Sequence, residues 1–364
     1  MNKSSKSSTK KKPGSRSVSK KPAVAKRARA AVASAAIVGS ASKSGSRRPV
    51  IGEGAHRYEV IHDWGELPSH IKFGNTHGVC EDSQGNIYVH HTVHDTSESH
   101  DTMVVFDSRG KFVRSWGKQF KGGAHGLHLR KEGRQEFLYL CDTVRAVVTK
   151  TTLKGEVVWA LEYPKDSEPY GAALRRGEPL KYSPTNLAIA PNGDIYVADG
   201  YGSSYINQYS SKAEFIRTFG GLGSEAGQLS CPHGIWVDTR GKTPVLVVAD
   251  RANHRIQNFT LAGEHLGFVP GTNLPCHFHE RNGTVVIPDL GARVTLLDAE
   301  NKVILHLGED PTGNWRELRR QPREQFLPGK FICPHGACFD HEGNIFVAEW
   351  VEIGRVTKLR ALER

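Results

Sequence analysis

No stretch of the 364 residues approaches the roughly 18 consecutive apolar residues that a membrane-spanning helix needs, so no span of that kind is expected. Cysteine is sparse: Cys80, Cys141, Cys231, Cys276, Cys333 and Cys338 are scattered, with no CxxC pair. That spacing excludes a zinc ribbon or a dithiol redox motif and gives no disulfide framework. Buried free thiols in a reducing, cytoplasmic setting are the expectation.

Acidic and aromatic residues are absent from residues 1–50, which carry 14 Lys and Arg and 12 Ser. Such a segment cannot bury enough apolar surface to offset the entropy of ordering its backbone, so a disordered basic tail is expected, followed by a folded domain over 51–364. The formal charge of +11 belongs to the tail, because the remaining 314 residues hold 35 basic and 38 acidic groups. Any weak contact with a polyanion is therefore expected through residues 1–50 alone. Lys26, Arg27 and Arg29 before the mildly apolar run Ala30–Val38 leave a weak export signal as an alternative.

The strongest signal is an internal repeat. Six segments share an opener, an apolar stretch, a turn and a second apolar stretch: THGVCEDSQGNIYVHH from Thr76, AHGLHLRKEGRQEFLYLCD from Ala124, PTNLAIAPNGDIYVAD from Pro184, PHGIWVDTRGKTPVLVVAD from Pro232, PCHFHERNGTVVIPD from Pro275 and PHGACFDHEGNIFVAE from Pro334. The first and last openers are 258 residues apart, about 52 per repeat. Alternating apolar positions and turns such as Asn192-Gly193 and Glu342-Gly343 indicate hairpins, and two further strands fit within each period. The expected fold is an all-β six-bladed propeller with four-stranded blades. The last repeat ends after GRVTKLRAL and lacks its outer strand, so RYEVIHDWG at Arg57–Gly65 is expected to close the ring.

In a propeller the innermost strands line the channel, and the residues opening them gather at one mouth. His125, His233 and His335 open blades two, four and six, about 120° apart in a six-fold ring. Three imidazoles with a vacant position are a catalytic zinc arrangement. A His-Gly pair at a strand start also serves as a turn residue bonded to backbone, and His77, opening blade one, is the rival ligand. His90, His91, His94 and His100 crowd the next loop, with His94 and His100 expected as polar surface, while His277 and His279 share a strand face. Tyr201 and Arg251 follow second strands, where a tyrosine beside a cation can act as base and an arginine fork suits a carboxylate. Arg251 could equally tie neighbouring blades by a salt bridge.

At these residues the chain resembles NHL-repeat propellers and, more narrowly, the peptidyl-α-hydroxyglycine α-amidating lyases. The likeness spans roughly residues 57–361 and is densest in YSPTNLAIAPNGDIYVADGYGSSYINQYSSKAEFIRTFG, CPHGIWVD and VADRANHRIQNF. The resemblance implies zinc on His125, His233 and His335, Tyr201 as catalytic base, Arg251 at the substrate, and cleavage of a hydroxyglycine-extended peptide to an amide and glyoxylate. Two positions depart from it: His91 stands where the family carries a second active-site arginine, and Gly336 stands where an aspartate follows the third zinc ligand. As candidate substrate-binding residue, His91 brings no unconditional charge, and Gly336 removes a carboxylate partner of the metal ligands. A small-molecule or peptide substrate and a monomer are expected. A propeller without enzymatic activity that binds a protein or nucleic acid is the alternative, and a lactonase of related scaffold is disfavoured because its calcium site calls for carboxylate and Asn ligands.

Overall fold

The computed structural model describes residues 48–362, so the expectation of a disordered tail over 1–50 lies, but for its last three residues, outside the described residues. The described residues form six antiparallel sheets, one per repeat. Their innermost strands are Thr76–Glu81, Ala124–Glu132, Asn186–Ile189, Pro232–Asp238, His279–Arg281 and Pro334–Phe339, for blades one to six. Each falls at or just after an opener read from the sequence, and the alternation that pointed to hairpins is the pleat itself.

Closure follows the expected route. Tyr58–Ile61 pairs antiparallel with Arg355–Ala361, completing blade six from the other end of the folded domain, and Val50–Ile51 adds a fifth strand outside it. The strand at Val50 begins one residue before the boundary drawn from composition. Blades one to five place their strands in sequence order from axis to rim, so the apolar faces of neighbouring sheets meet as separate core layers. Blade six joins blade one through Phe73, Val79, Val89, Cys338, Phe346 and Ala348, as any other pair of blades is joined.

Two features depart from the repeat. In blade five the inner strand is only three residues long, His279–Arg281, although its opener is a proline as in blades four and six. The alignment is rescued by one bridge from Pro275 to Asp289 and by the Cys276 amide donating to Pro288 at 2.9 Å. The connections into blades three and six carry helices, Glu168–Arg175 and Trp315–Leu318, which lie outside the repeated pattern.

The second strands of blades two, four, five and six end in Asp142, Asp250, Asp289 and Glu349, Asp199 directly follows that of blade three, and each of these side chains is buried. In blades three, four and six this acid accepts an amide from the segment leading into its own first strand: Ser183 to Asp199 at 2.6 Å, Ser230 to Asp250 at 2.7 Å, Ile332 to Glu349 at 2.8 Å. Glu349 also holds Arg355, and both side chains are fully buried. A buried charge tolerates that position only with such partners. No helix among the described residues is long and apolar enough to cross a membrane.

Candidate metal centre

The side chains following the first opener residue form one layer around the channel mouth: His77, His125, Thr185, His233, Cys276 and His335, in blade order. All four histidines are buried. The ring centroids of His125, His233 and His335 are 4.6 to 4.8 Å apart, so the three alternate-blade imidazoles meet on the axis. His77 joins them, 4.5 Å from His335 and 4.7 Å from His125. Among the described residues two sets of ligand atoms lie within 4.8 Å of one another, His77–His125–His335 and His233–Cys276–His335.

The backbone fixes which nitrogen of each ring is free. His125 Nδ1 donates to the Thr185 carbonyl at 2.7 Å, His233 Nδ1 to the Cys276 carbonyl at 2.8 Å, and His335 Nδ1 to the His77 carbonyl at 3.0 Å. A carbonyl only accepts, so each Nδ1 carries the proton and each Nε2 keeps its lone pair. Every one of these carbonyls belongs to the same layer in the next blade, so the propeller's own symmetry orients the rings. Such partners hold metal-binding imidazoles in one tautomer.

Glycine makes this approach possible. A Cβ on Gly126 would lie 2.5 Å from the Thr185 oxygen, one on Gly234 2.6 Å from the Cys276 oxygen, and one on Gly336 2.4 Å from the His77 oxygen. These are the same three carbonyls. The His-Gly pair is therefore one device: the glycine lets the neighbouring blade come close enough for the histidine to bond it. The position where the related family carries aspartate has no room for a side chain in this molecule.

Tyr201 and Arg251 complete the site. The Tyr201 hydroxyl lies 3.2 Å from His125 Nε2 and 3.1 Å from His233 Nε2. Arg251 Nη1 donates to the same hydroxyl at 3.3 Å, and its guanidinium carbon sits 5.2 Å from the ring centre. Tyr201 is delivered by the turn after Asp199, which accepts the amides of Ser183 and Ser203 and the Tyr170 hydroxyl. Gly200 lets that turn press on blade four, since its Cβ would stand 2.2 Å from the Pro232 oxygen. Arg251 opens the 3₁₀ turn Arg251–Asn253 beside Cys231 and Cys276, with Nη2 3.1 Å from Cys231 Sγ and Nη1 3.9 Å from Cys276 Sγ.

The electrostatics favour an added cation over an added proton. Burial drives the His125 pKa down to about 3, and burial with the nearby Arg251 charge holds His233 well below its ordinary value. Burial does the same to His335, with His125 adding to it. The Tyr201 hydroxyl has one proton to share between two Nε2 lone pairs, and His77 Nδ1, 3.3 Å from His335 Nε2, serves the third. More lone pairs than protons converge here, which favours a cation, although the ligand atoms that lie within 4.8 Å of one another are those of His77–His125–His335 and His233–Cys276–His335 and not those of the expected set His125–His233–His335. The residues present therefore fit a metal. Burial also raises the Tyr201 phenol, opposed by Arg251, so without a further cation Tyr201 stays protonated.

His91 lies elsewhere. It ends the second strand of blade one, where the other blades carry an acid, and its Nδ1 accepts the Gly74 and Val93 amides at 3.4 and 3.1 Å while its ring meets Phe73. That bonding repeats what Asp199 and Asp250 do in their blades. His94 is half-buried against Thr96 and His100 is exposed. His277 and His279 both reach the inner strand of blade six, at Ala337 and Phe339, and with His128 and Trp236 line a cavity of about 240 Å³ further along the channel. Sequence reasoning missed Cys276 as a channel-facing group. Its signal was available, since Pro275-Cys276 aligns with Pro232-His233 and Pro334-His335.

Fold and site together define a six-bladed β-propeller with a buried histidine cluster on its axis. It is distantly related to the peptidyl-α-hydroxyglycine α-amidating lyases and to NHL-repeat proteins. It is 28% identical over 226 residues to peptidyl-alpha-hydroxyglycine alpha-amidating lyase 1 of Drosophila melanogaster, covering 52% of this chain and 38% of that protein. Against peptidyl-glycine alpha-amidating monooxygenase B of Xenopus laevis the identity is 28% over 225 residues, 54% of this chain and 24% of that one. NHL repeat-containing protein 3 of Homo sapiens is 26% identical over 219 residues, 58% and 59% of the two chains. The match thus spans less than two thirds of each relative, and less than two fifths of the two amidating enzymes. Among solved structures, a streptogramin B lyase superposes with a TM-score of 0.56 at 13% identity, covering 85% of this chain and 100% of that one. A gluconolactonase from Xanthomonas campestris gives 0.57 at 14%, covering 86% and 95%. These two likenesses concern the fold. No family model matches the chain.

Proposed function

We propose that the chain is a zinc-dependent lyase that cleaves the carbon–nitrogen bond of an α-hydroxyglycine-extended substrate, releasing an amide and glyoxylate. One observation carries the reading: three imidazoles from alternate blades have their Nδ1 protons committed to backbone carbonyls, which leaves each Nε2 unprotonated, beside the Tyr201 hydroxyl and the Arg251 guanidinium. The distant relationship to amidating lyases supports the choice of substrate.

Zinc on His125, His233 and His335 would supply a positive charge that makes a nearby hydroxyl more acidic. Tyr201 takes the proton of the substrate hydroxyl. The oxygen's electrons form the carbonyl of glyoxylate, the C–N bond breaks with its pair going to nitrogen, and Tyr201 returns the proton to that nitrogen. All substrate atoms end in the two products and nothing else is consumed. Tyr201 can serve only as phenolate, which Arg251 favours from 3.3 Å and burial opposes. Arg251 offers its fork to the substrate carboxylate, exchanging weak thiol contacts for charged ones. Because His91 is committed to backbone amides, carboxylate recognition falls to Arg251.

Metal analysis of purified protein and glyoxylate release from an α-hydroxyglycine peptide test the proposal. The expected outcome is about one zinc per chain, lost in His233→Ala, and a Tyr201→Phe variant that keeps zinc while kcat falls by about 10²- to 10⁴-fold. Folded protein without metal would leave a binding scaffold, and zinc without glyoxylate release would point to another substrate.

A further inference from the structure

The layer at the channel mouth carries histidine in four blades and cysteine in a fifth. Cys276 is fully buried, follows Pro275 as His233 follows Pro232 and His335 follows Pro334, and its carbonyl receives the His233 Nδ1 proton. Its Sγ lies within 4.8 Å of the ligand nitrogens of both His233 and His335. The thiol's other contacts are weak, 3.5 Å to the Leu274 carbonyl and 3.9 Å to Arg251 Nη1. The remaining cysteines are placed differently. Cys80, Cys141 and Cys338 sit in apolar layers between blades, Cys333 lies by the Trp315 carbonyl, and half-buried Cys231 meets Arg251 but belongs to neither set of ligand atoms.

We propose that Cys276 is a ligand of this centre, its Sγ joining His233 and His335, so that the ion is held by imidazole and thiolate together. The inference rests on the metal reading above and goes beyond the all-histidine set that the family resemblance implies. Binding releases the thiol proton to solvent as the S–M bond forms. A thiolate shifts the preference of the site toward softer ions and tempers the acidity the ion confers, and the Arg251 charge beside it offsets the added negative charge. The centre also becomes sensitive to thiol oxidation, which an all-imidazole site is not.

Cobalt(II) reports the ligand type without any assay of activity. The full chain, stripped of metal and loaded with cobalt(II), is expected to show visible d–d bands and, in addition, a thiolate-to-cobalt charge-transfer band in the near ultraviolet. That band is lost in Cys276→Ser and kept in Cys231→Ser. Since the parent protein's spectrum alone reveals sulfur ligation, a poorly folding variant does not remove the test. Cobalt bound with d–d bands but no charge-transfer band overturns the proposal and leaves the metal reading intact. Folded protein that takes up no cobalt overturns both, and a band lost in Cys231→Ser but kept in Cys276→Ser assigns the sulfur elsewhere and overturns the proposal alone.

Discussion

Replacing Gly336 by alanine puts a methyl carbon 2.4 Å from the His77 carbonyl oxygen and 3.1 Å from the Gly78 Cα, both backbone atoms of the neighbouring blade. Neither can rotate away, so the blades must part. Overpacking of this kind costs about 1–3 kcal/mol. The displaced carbonyl also holds His335 Nδ1 at 3.0 Å, and losing that bond adds about 1 kcal/mol. The total of about 2–4 kcal/mol corresponds to a fall of roughly 4–8 °C in Tm, at about 2 °C per kcal/mol for a domain of this size. The same shift frees the His335 ring, so zinc affinity should drop by about 10- to 100-fold. Gly267→Ala is the control, because a Cβ there meets nothing within 4 Å. Calorimetry and zinc titration of both variants decide the matter. Gly336→Asp should be worse than alanine, since it forces a carboxylate against a carbonyl oxygen. A Gly336→Ala protein as stable and as zinc-avid as Gly267→Ala would refute the close-approach argument.

Removing residues 1–61 takes away the strand paired with Arg355–Ala361 and should abolish a single cooperative melting transition; an unchanged Tm would show that the ring closes without it. Glu349→Ala leaves Arg355 buried without its carboxylate and should cost about 3–5 kcal/mol by chemical denaturation, far more than Glu168→Ala at the exposed pair with Arg175. Burial raises the Asp199 pKa to about 6, against an ordinary value near 4, so the folded state holds this proton more tightly than the unfolded chain does. Its contribution to stability is thus present below about pH 4 and lost as pH rises through about 6. Relative to Asp199→Asn, the parent protein should gain stability on acidification across that interval, and a pH-independent difference would contradict the assignment.

The repeat period, the hairpin turns and the missing outer strand were legible because a propeller states its fold six times in local patterns: alternation gives the pleat, and Gly193 and Gly343 turn at φ of 91° and 89° where the sequence placed the turns. That His125, His233 and His335 open alternate blades was legible for the same reason, but which ligand atoms come within 4.8 Å of one another was not, since His77 and Cys276 belong to the close sets. Four aspects were settled only in three dimensions. The tautomer of each imidazole depends on a carbonyl 43 residues or more away in the chain, donated by the next blade. The role of glycine beside each histidine depends on that same approach. Cys276 lies within 4.8 Å of the ligand atoms of His233 and His335 because blade five keeps the opener's place in space although its strand is shortened and no histidine marks it. His91, two residues from the conspicuous His-rich loop, went to its own blade's amides, because the end of a second strand needs an acceptor there whatever residue supplies it. Sequence fixes what recurs along the chain, whereas contacts between blades are long-range and carry no local pattern, so only the closed ring decides them.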